Sequence, residues 1–417
     1  MSRTALRIVG VACAIATLAV ACTGGDNSAP ETTVPTPATT TTPQRSSDNQ
    51  LTIGLLLPSS DPVLGQGLID ASNLAVERIN DAGGVLGRSV RIVEQDEGLG
   101  GGAAAGVAAL LASDPQVDAV VGPASSLTAL NELDTLVSAG VMSCSPTATA
   151  LALDDFPDND LFFRTAPSDS LQAQAIADLA QRTGVQNIAI AHVDDVYGRP
   201  FAGAVRDALA DGTRTVTTYP FIRGDGIEDV AQEVVDSGAR LLVVLAGSDD
   251  GTAFLEAVSI TNFGSLVDVI VSDQLRDPAG AQRIEALDPS LRERIRGVAP
   301  QAQSEDENQP FDPPGLFAAN AFDCVNLIAL AVELVGTDDP SVFSAQIPAL
   351  TTRGRVCRSF DECKQLLDES LNVNYNGPDG ITELLVVGYP ARARFDVFAF
   401  DETGRAVFTQ SIVASRI

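Results

Sequence analysis

Two hydroxyl-rich strings stand where strand-like runs give way to helical ones: GPASS (122–126), carrying Ser125 and Ser126, and SPTAT (145–149), carrying Thr147 and Thr149. A helix start at such a junction offers unpaired N–H groups and the positive end of the dipole, which suit a carboxylate. Ser and Thr add donors there without adding charge. The same residues are favoured helix caps, so each string taken alone reads first as a cap. No G-x-S-x-G elbow, P-loop or zinc-protease motif is present, and no carboxylate pair stands out as acid and base. Asp194-Asp195 and Asp249-Asp250 read as solvated loop residues at strand ends. His192, the single histidine, lies in IAIAHVDD and reads as a strand residue near a sheet edge. One His cannot build a His-rich metal site, and no Cys, His and carboxylate spacing suggests one. The run GLGGGA (98–103) approximates a dinucleotide fingerprint, with Asp118 near the spacing of a ribose acid. It follows the second strand rather than the first and reads as a flexible strand-to-helix loop. No catalytic residue, metal or cofactor is expected.

The chain has 417 residues, enough for two or three domains at roughly 150 residues each. Its 55 acidic residues against 26 basic ones give a formal charge of −29. Such a surface repels phosphate backbones, so nucleic acid is excluded as a partner. Residues 1–22 read as an export signal: Arg3 and Arg7, then an apolar stretch from Ile8 to Ala21 that is too short for a comfortable bilayer span of about 20 residues. The stretch ends in Leu18-Ala19-Val20-Ala21-Cys22, similar to a bacterial lipobox, with Cys22 as the lipidation site. Residues 23–50, with PTPATTTTPQ, have too little apolar surface to fold and read as a disordered Thr/Pro tether. The expected location is the extracytoplasmic face of a cell membrane, held there by lipid. An exported chain favours disulfides. Besides Cys13 and Cys22, four cysteines remain, with three possible pairings. Cys357 and Cys363 flank the short turn CRSFDEC, where a local bridge fits. That leaves Cys144 and Cys324 either bridged or as two buried thiols.

The candidate residues need a scaffold. Continuous Val, Ile and Leu runs mark strands at 51–58, 89–96, 117–123, 141–146, 187–194, 241–247 and 267–273. Runs without alternation indicate strands buried on both faces of a parallel sheet. Helical patterns fall between and after them at 66–82, 103–113, 127–138, 170–182, 199–210, 227–237 and 316–335. The alternation implies an α/β class with two doubly wound parallel-sheet units. RARFDVFAF, the turn DETG and RAVFTQSIV predict a C-terminal antiparallel hairpin.

Read as a whole, 51–410 resembles the branched-chain-amino-acid-type substrate-binding proteins of ABC transporters, with the type I periplasmic-binding-protein fold. The resemblance is carried by LAVERINDAGGVLGRSVRIVEQDE (74–97), VVGPASSLTAL (120–130), SPTAT (145–149), FRTAPSDSLQAQAIADLA (163–180), VYGRPFA (196–202) and NYNGPDG (374–380). It implies a Venus-flytrap: lobe 1 from 51–166 plus 301–388, and lobe 2 from 167–300 plus 389–417. Three hinge crossings are expected near Thr165–Ser168, Val298–Gln301 and Gly388–Arg392. The resemblance gives Ser125 and Ser126 to the ligand carboxylate, Thr147 as backbone contact and Thr149 as hydroxyl. Tyr197 reaches in from the second lobe, and Asp273 pairs with the ligand ammonium. Gln66 stands near the place of a family aromatic, and there is no Trp, which departs from a branched-chain pocket. A more polar amino acid, an amide or another small metabolite is compatible. The implied role is a monomeric, non-enzymatic receptor delivering ligand to a membrane ABC permease. The second reading is a sensor that presents the same clamp to a signalling partner.

Overall fold

The computed structural model describes residues 45, 47–62, 64–98, 104–301, 315–380 and 382–415. The export signal, Cys22 and most of the proposed tether lie outside them. Described residues earlier than 51 are part of the folded body. The Arg45 side chain is 8% exposed and donates to the carbonyls of Ala112, Asp114, Val117 and Ala139. The Gln50 amide donates to Asp338 at 2.8 Å. Composition places the start of the fold at 51, and these contacts move it back to Arg45.

The first sheet holds β1 (Thr52–Leu57), β2 (Arg91–Asp96), β3 (Ala119–Val121), β4 (Met142–Ser145) and β5 (Phe162–Arg164), all parallel, in the order β2-β1-β3-β4-β5. Every residue of β1 is buried, as its run TIGLLL requires. Helix α1 (Gly65–Asp81) sets Leu68, Ala71, Ala75 and Ile79 on one face of the sheet, beside the long helix Ala318–Val335. Helices α2 (Ala104–Ser113) and α3 (Ser126–Ser138) cover the other face, where Leu111 and Leu136 meet Leu56 and Val120. Each such leucine contributes about 1.5–3 kcal/mol through burial. Ala318–Val335 is long and apolar enough to cross a membrane, but it is the core helix of this lobe.

The second sheet holds β6 (Asn187–Val193), β7 (Thr215–Phe221), β8 (Leu241–Leu245), β9 (Asp268–Val271) and β10 (Ile295–Pro300), parallel in the order β7-β6-β8-β9-β10. Helices α4 (Asp169–Arg182) and α5 (Gly198–Leu209) pack on one face, and α6 (Ile227–Asp236) and α7 (Ser248–Ser259) on the other. A small parallel pair, β11 (Arg355–Cys357) and β12 (Val373–Tyr375), lies apart. Strand β14 (Pro390–Phe400) joins the second sheet antiparallel to β10, and β13 (Thr382–Leu384) and β15 (Ala406–Ser415) each pair antiparallel with β14, so the expected hairpin is present. β13 already pairs with β14, so the second sheet takes residues earlier than 388. Both disulfides are formed: Cys144 of β4 with Cys324, and Cys357 with Cys363.

The chain leaves the first sheet at Arg164 and enters the second body at Asp169, returns after Pro300, and joins the second sheet again through β13 and β14. The Arg164 amide donates to the Gly388 carbonyl at 2.7 Å, which ties the first and third crossings together.

Candidate functional site

The GPASS loop begins where β3 runs out at Gly122. Its φ is +122°, and a Cβ there would stand 2.1 Å from the Leu56 carbonyl oxygen, so the turn needs glycine. Ser125 caps α3, its Oγ accepting from the Thr128 amide at 3.4 Å. Glu97 is 1% exposed and places its carboxylate on the amides of Ala124 and Ser125, at 2.7 and 3.0 Å. Burial pushes its pKa up to about 7, against the pull of those two bonds. The Ser126 hydroxyl accepts from the amides of Thr149 (3.1 Å) and Ala150 (3.2 Å). The Thr147 hydroxyl donates to the Ala124 carbonyl. The two hydroxyl strings thus lock onto each other, and the Ser126 proton is not spent in these contacts.

Asp169 opens α4 right after the first crossing, its amide bonded to the Thr149 carbonyl at 2.9 Å. The side chain is 1% exposed, and no hydrogen bond of good geometry reaches either carboxylate oxygen, although the Thr149 hydroxyl lies close by. Burial first, and then the charge of Asp273, push its pKa up to about 8. Asp273 follows β9; burial raises its pKa, and Gln172 opposes that by donating at 2.8 Å. The same Gln172 nitrogen donates to the Val298 carbonyl at 2.8 Å, while Gln172 Oε1 is buried without a partner.

Tyr197 comes from the second lobe. Asp195 Oδ1 accepts from the amides of Tyr197 (3.0 Å) and Gly198 (2.7 Å), and Asp195 Oδ2 pairs with Arg223 at 2.7 Å. Asp195 is therefore the anchor of the tyrosine turn, not the solvated loop residue its position suggests. The Tyr197 ring packs both on its own lobe and against the first-lobe cluster of Ala148, Ala150 and Phe162. Its hydroxyl is buried without a hydrogen-bond partner; burial, then Asp169 and Asp273, hold its pKa well above the usual value. Thr149, Asp169, Tyr197 and Asp273 therefore meet where the lobes face each other.

A cavity of about 350 Å³ opens beside this group. Asp61, Leu64, Leu316 and Phe317 line it from the first lobe, and Ser248, Asp273, Gln274 and Asp277 from the second. Ala299, Pro300 and Gln301 of the second crossing close it. Of the residues expected from sequence, Asp273 alone lines this space; Thr149 and Tyr197 lie beside Asp169, and Ser125, Ser126 and Thr147 are held in the two interlocked loops. Gln66 does neither. It is exposed in the first turn of α1 and donates to Asp70 at 2.7 Å, because its helix position turns it to solvent. Leu64, two residues earlier, faces the cavity instead. Asp169, Gln172 and Glu97 escape a reading by motif. An acid in the first turn of a helix reads as a dipole partner, and only its place at a crossing signals more. Asp118 sits at the far end of the first sheet with its carboxylate on the Thr52 amide at 2.9 Å, which rules out a ribose role. His192 is buried in β6, next to the edge strand β7.

Residues 50–362 match the family described as periplasmic binding protein. The chain belongs to that family. A periplasmic binding protein fold is also what solved structures show: an ABC transporter substrate-binding protein from Desulfitobacterium hafniense, in complex with Leu, superposes with a TM-score of 0.68 at 20% identity, over 86% of this chain and 100% of that one. Among periplasmic binding protein relatives, a chemotactic signal transduction system substrate-binding protein, BasB, of Halobacterium salinarum is 27% identical over 80% of this chain and 83% of its own. A leucine-, isoleucine-, valine-, threonine- and alanine-binding protein of Pseudomonas aeruginosa is 25% identical over 72% of this chain and 82% of its own. The sequence resemblance to branched-chain-amino-acid-type substrate-binding proteins is thereby borne out, as is the α/β two-lobed class.

Proposed function

We propose that the chain is an extracytoplasmic solute-binding protein that closes over an α-amino acid and delivers it to an ABC importer, without chemical turnover. Cys22 would carry the lipid anchor and 23–44 the tether. The observation that carries the ligand class is the buried Asp169 beside the half-buried Asp273, with Tyr197, at the lobe junction. Among the described residues neither acid has an ion pair, and Arg164 and Arg276 act on them only through the field; such a grouping is costly unless a positive group joins it, and an α-ammonium is such a group. Next to this group, Ser126 at the start of α3 and Thr149 in the loop after β4 would receive the carboxylate.

A thermal-shift screen of the purified chain against α-amino acids, amides and organic acids tests this. Zwitterionic amino acids should raise the melting temperature by mass action. Asp169→Asn and Asp273→Asn should each abolish that rise while melting as single folded species. An unchanged rise in both variants would remove the ammonium assignment.

A sensor role has one observation in its favour, the chemotactic BasB relative. Reconstituted uptake driven by ATP with a cognate permease would decide for transport; ligand-dependent capture of a signalling receptor without uptake would decide for sensing.

A further inference from the structure

Gln172 lies in the first turn of α4, three residues after Asp169, and so on the same helix face. The residue is 1% exposed. Its amide nitrogen donates to Asp273 Oδ1 and to the Val298 carbonyl, both at 2.8 Å. A backbone carbonyl can only accept, so the NH2 must face Val298 and the oxygen must face away. That oxygen is buried, and no donor reaches it. A buried acceptor without a donor is costly, and a ligand N–H would remove the cost.

The place of Gln172 Oε1 suits an α-ammonium. Amide bond lengths and the 2.8 Å bond put it within about 5 Å of Asp273 Oδ1. One ammonium nitrogen with hydrogen bonds of about 2.8 Å spans two acceptors roughly 4.6 Å apart at a tetrahedral angle. Asp273 lines the cavity, and Asp169 stands near enough for the two charges to act on each other. Arg164 and Arg276 act on these acids, but neither donates to the Gln172 oxygen. Three acceptor groups thus converge from α4 and the end of β9, and a primary ammonium has three N–H bonds. Charged acceptors make the stronger bonds. An amine with only two N–H groups therefore gives both to the acids and strands Gln172 Oε1.

We propose that Gln172 Oε1 is the third acceptor for the ligand's α-ammonium, and that through it the clamp selects primary α-amino acids over N-alkylated ones. This role rests on the amino-acid reading of the site. Asp169 and Asp273 read the charge of the bound amine, and Gln172 reads the number of its N–H bonds.

A thermal-shift screen of the full chain in detergent with the twenty standard L-amino acids picks the strongest binder. Calorimetric titration then compares that amino acid with its N-methyl derivative. The N-methyl form should bind at least about thirtyfold more weakly. Gln172→Met and Gln172→Glu both lose the N–H donors to Asp273 and Val298, and only Gln172→Glu keeps an acceptor oxygen. The ratio should fall to about threefold or less in Gln172→Met and stay above about tenfold in Gln172→Glu. A residue that merely held Asp273 in place would weaken both forms alike and leave the ratio intact. Proline as the strongest binder, an N-methyl form within about threefold of its parent in the unaltered chain, or an unchanged ratio in Gln172→Met overturns the Gln172 assignment alone. Failure of all twenty to bind overturns the amino-acid reading beneath it.

Discussion

The carboxylate of Glu97 and the amide of Ala124 meet at 2.7 Å, so the ligand-side helix start of the first lobe is held by an acid of its own chain. Glu97 lies one residue past β2, and its second oxygen holds Ser125. Replacing it by alanine leaves a buried amide and a half-buried one without this acceptor, at about 1–3 kcal/mol for the buried one. Glu97→Ala should therefore lose more stability in urea denaturation than Glu97→Gln, which keeps one acceptor oxygen. Equal midpoints for the two variants would show that the amides find other partners.

Arg164 has a similar role behind Thr149. Its side chain is 1% exposed, donates to Asp154 at 2.6 Å and to the carbonyls of Ala148 and Ala150 at 3.3 Å, and lies 4.9 Å over the Tyr389 ring. Ser168 donates to the other Asp154 oxygen at 2.9 Å. One guanidinium thus fixes both neighbours of Thr149 and joins the first crossing to the third. Arg164→Met removes the guanidinium from a buried ion pair and should cost about 3–5 kcal/mol. Ligand affinity should drop as well, since Thr149 loses its support. Calorimetry on the folded variant would report unaltered affinity if the loop held itself.

Stability should decline as pH rises. The buried acids Glu97, Asp118 and Asp169 have folded-state pKa values of about 7, 8 and 8, far above ordinary carboxylate values. The folded chain therefore binds these protons more tightly than the unfolded chain. That contribution is complete below about pH 4 and is lost as pH climbs to about 8. Urea midpoints should fall between pH 5.5 and 8, and a midpoint that rises over this range contradicts the assignment. An ammonium needs Asp169 ionised, so amino-acid affinity should increase over the same interval, with proton release. Asp169→Asn should remove that proton release.

Gly388 sits at the third crossing with φ +84°, and a Cβ there would stand 2.3 Å from the Phe162 carbonyl oxygen. Gly388→Ala faces both an unfavourable dihedral and a backbone clash, and should destabilise by more than about 1 kcal/mol. A thermal midpoint within error of the parent chain would mean that the crossing relaxes freely.

The legible part of this fold was its repeating part. The helices at 66–82, 127–138 and 170–182 lie within a residue of the observed ones, because apolar spacing and caps define them. The seven strand runs are likewise present, trimmed by a few residues. β7 escaped because TVTTYPF is an edge strand with an alternating, largely exposed pattern. β10 escaped because Gly297 and Pro300 mask it; a Cβ on Gly297 would strike the Phe398 ring, so a sheet contact demands the very residue that hides the strand. At the candidate site, the hydroxyl strings drew notice by their places at strand ends, and Asp273 by the family resemblance. Asp169 and Glu97 were not, since their meaning comes from burial, which no local pattern records. Gln66 failed for the opposite reason: a position was inferred without the rotation of α1, which decides which residue faces inward.

The Cys144–Cys324 bridge closes a covalent ring across 180 residues of separation, and that ring contains the first two hinge crossings and most of the second lobe. A protease that cuts the chain anywhere inside it produces two pieces that still migrate together until a reductant is added. A clipped chain would therefore stay in one part, coming apart only where thiols are abundant.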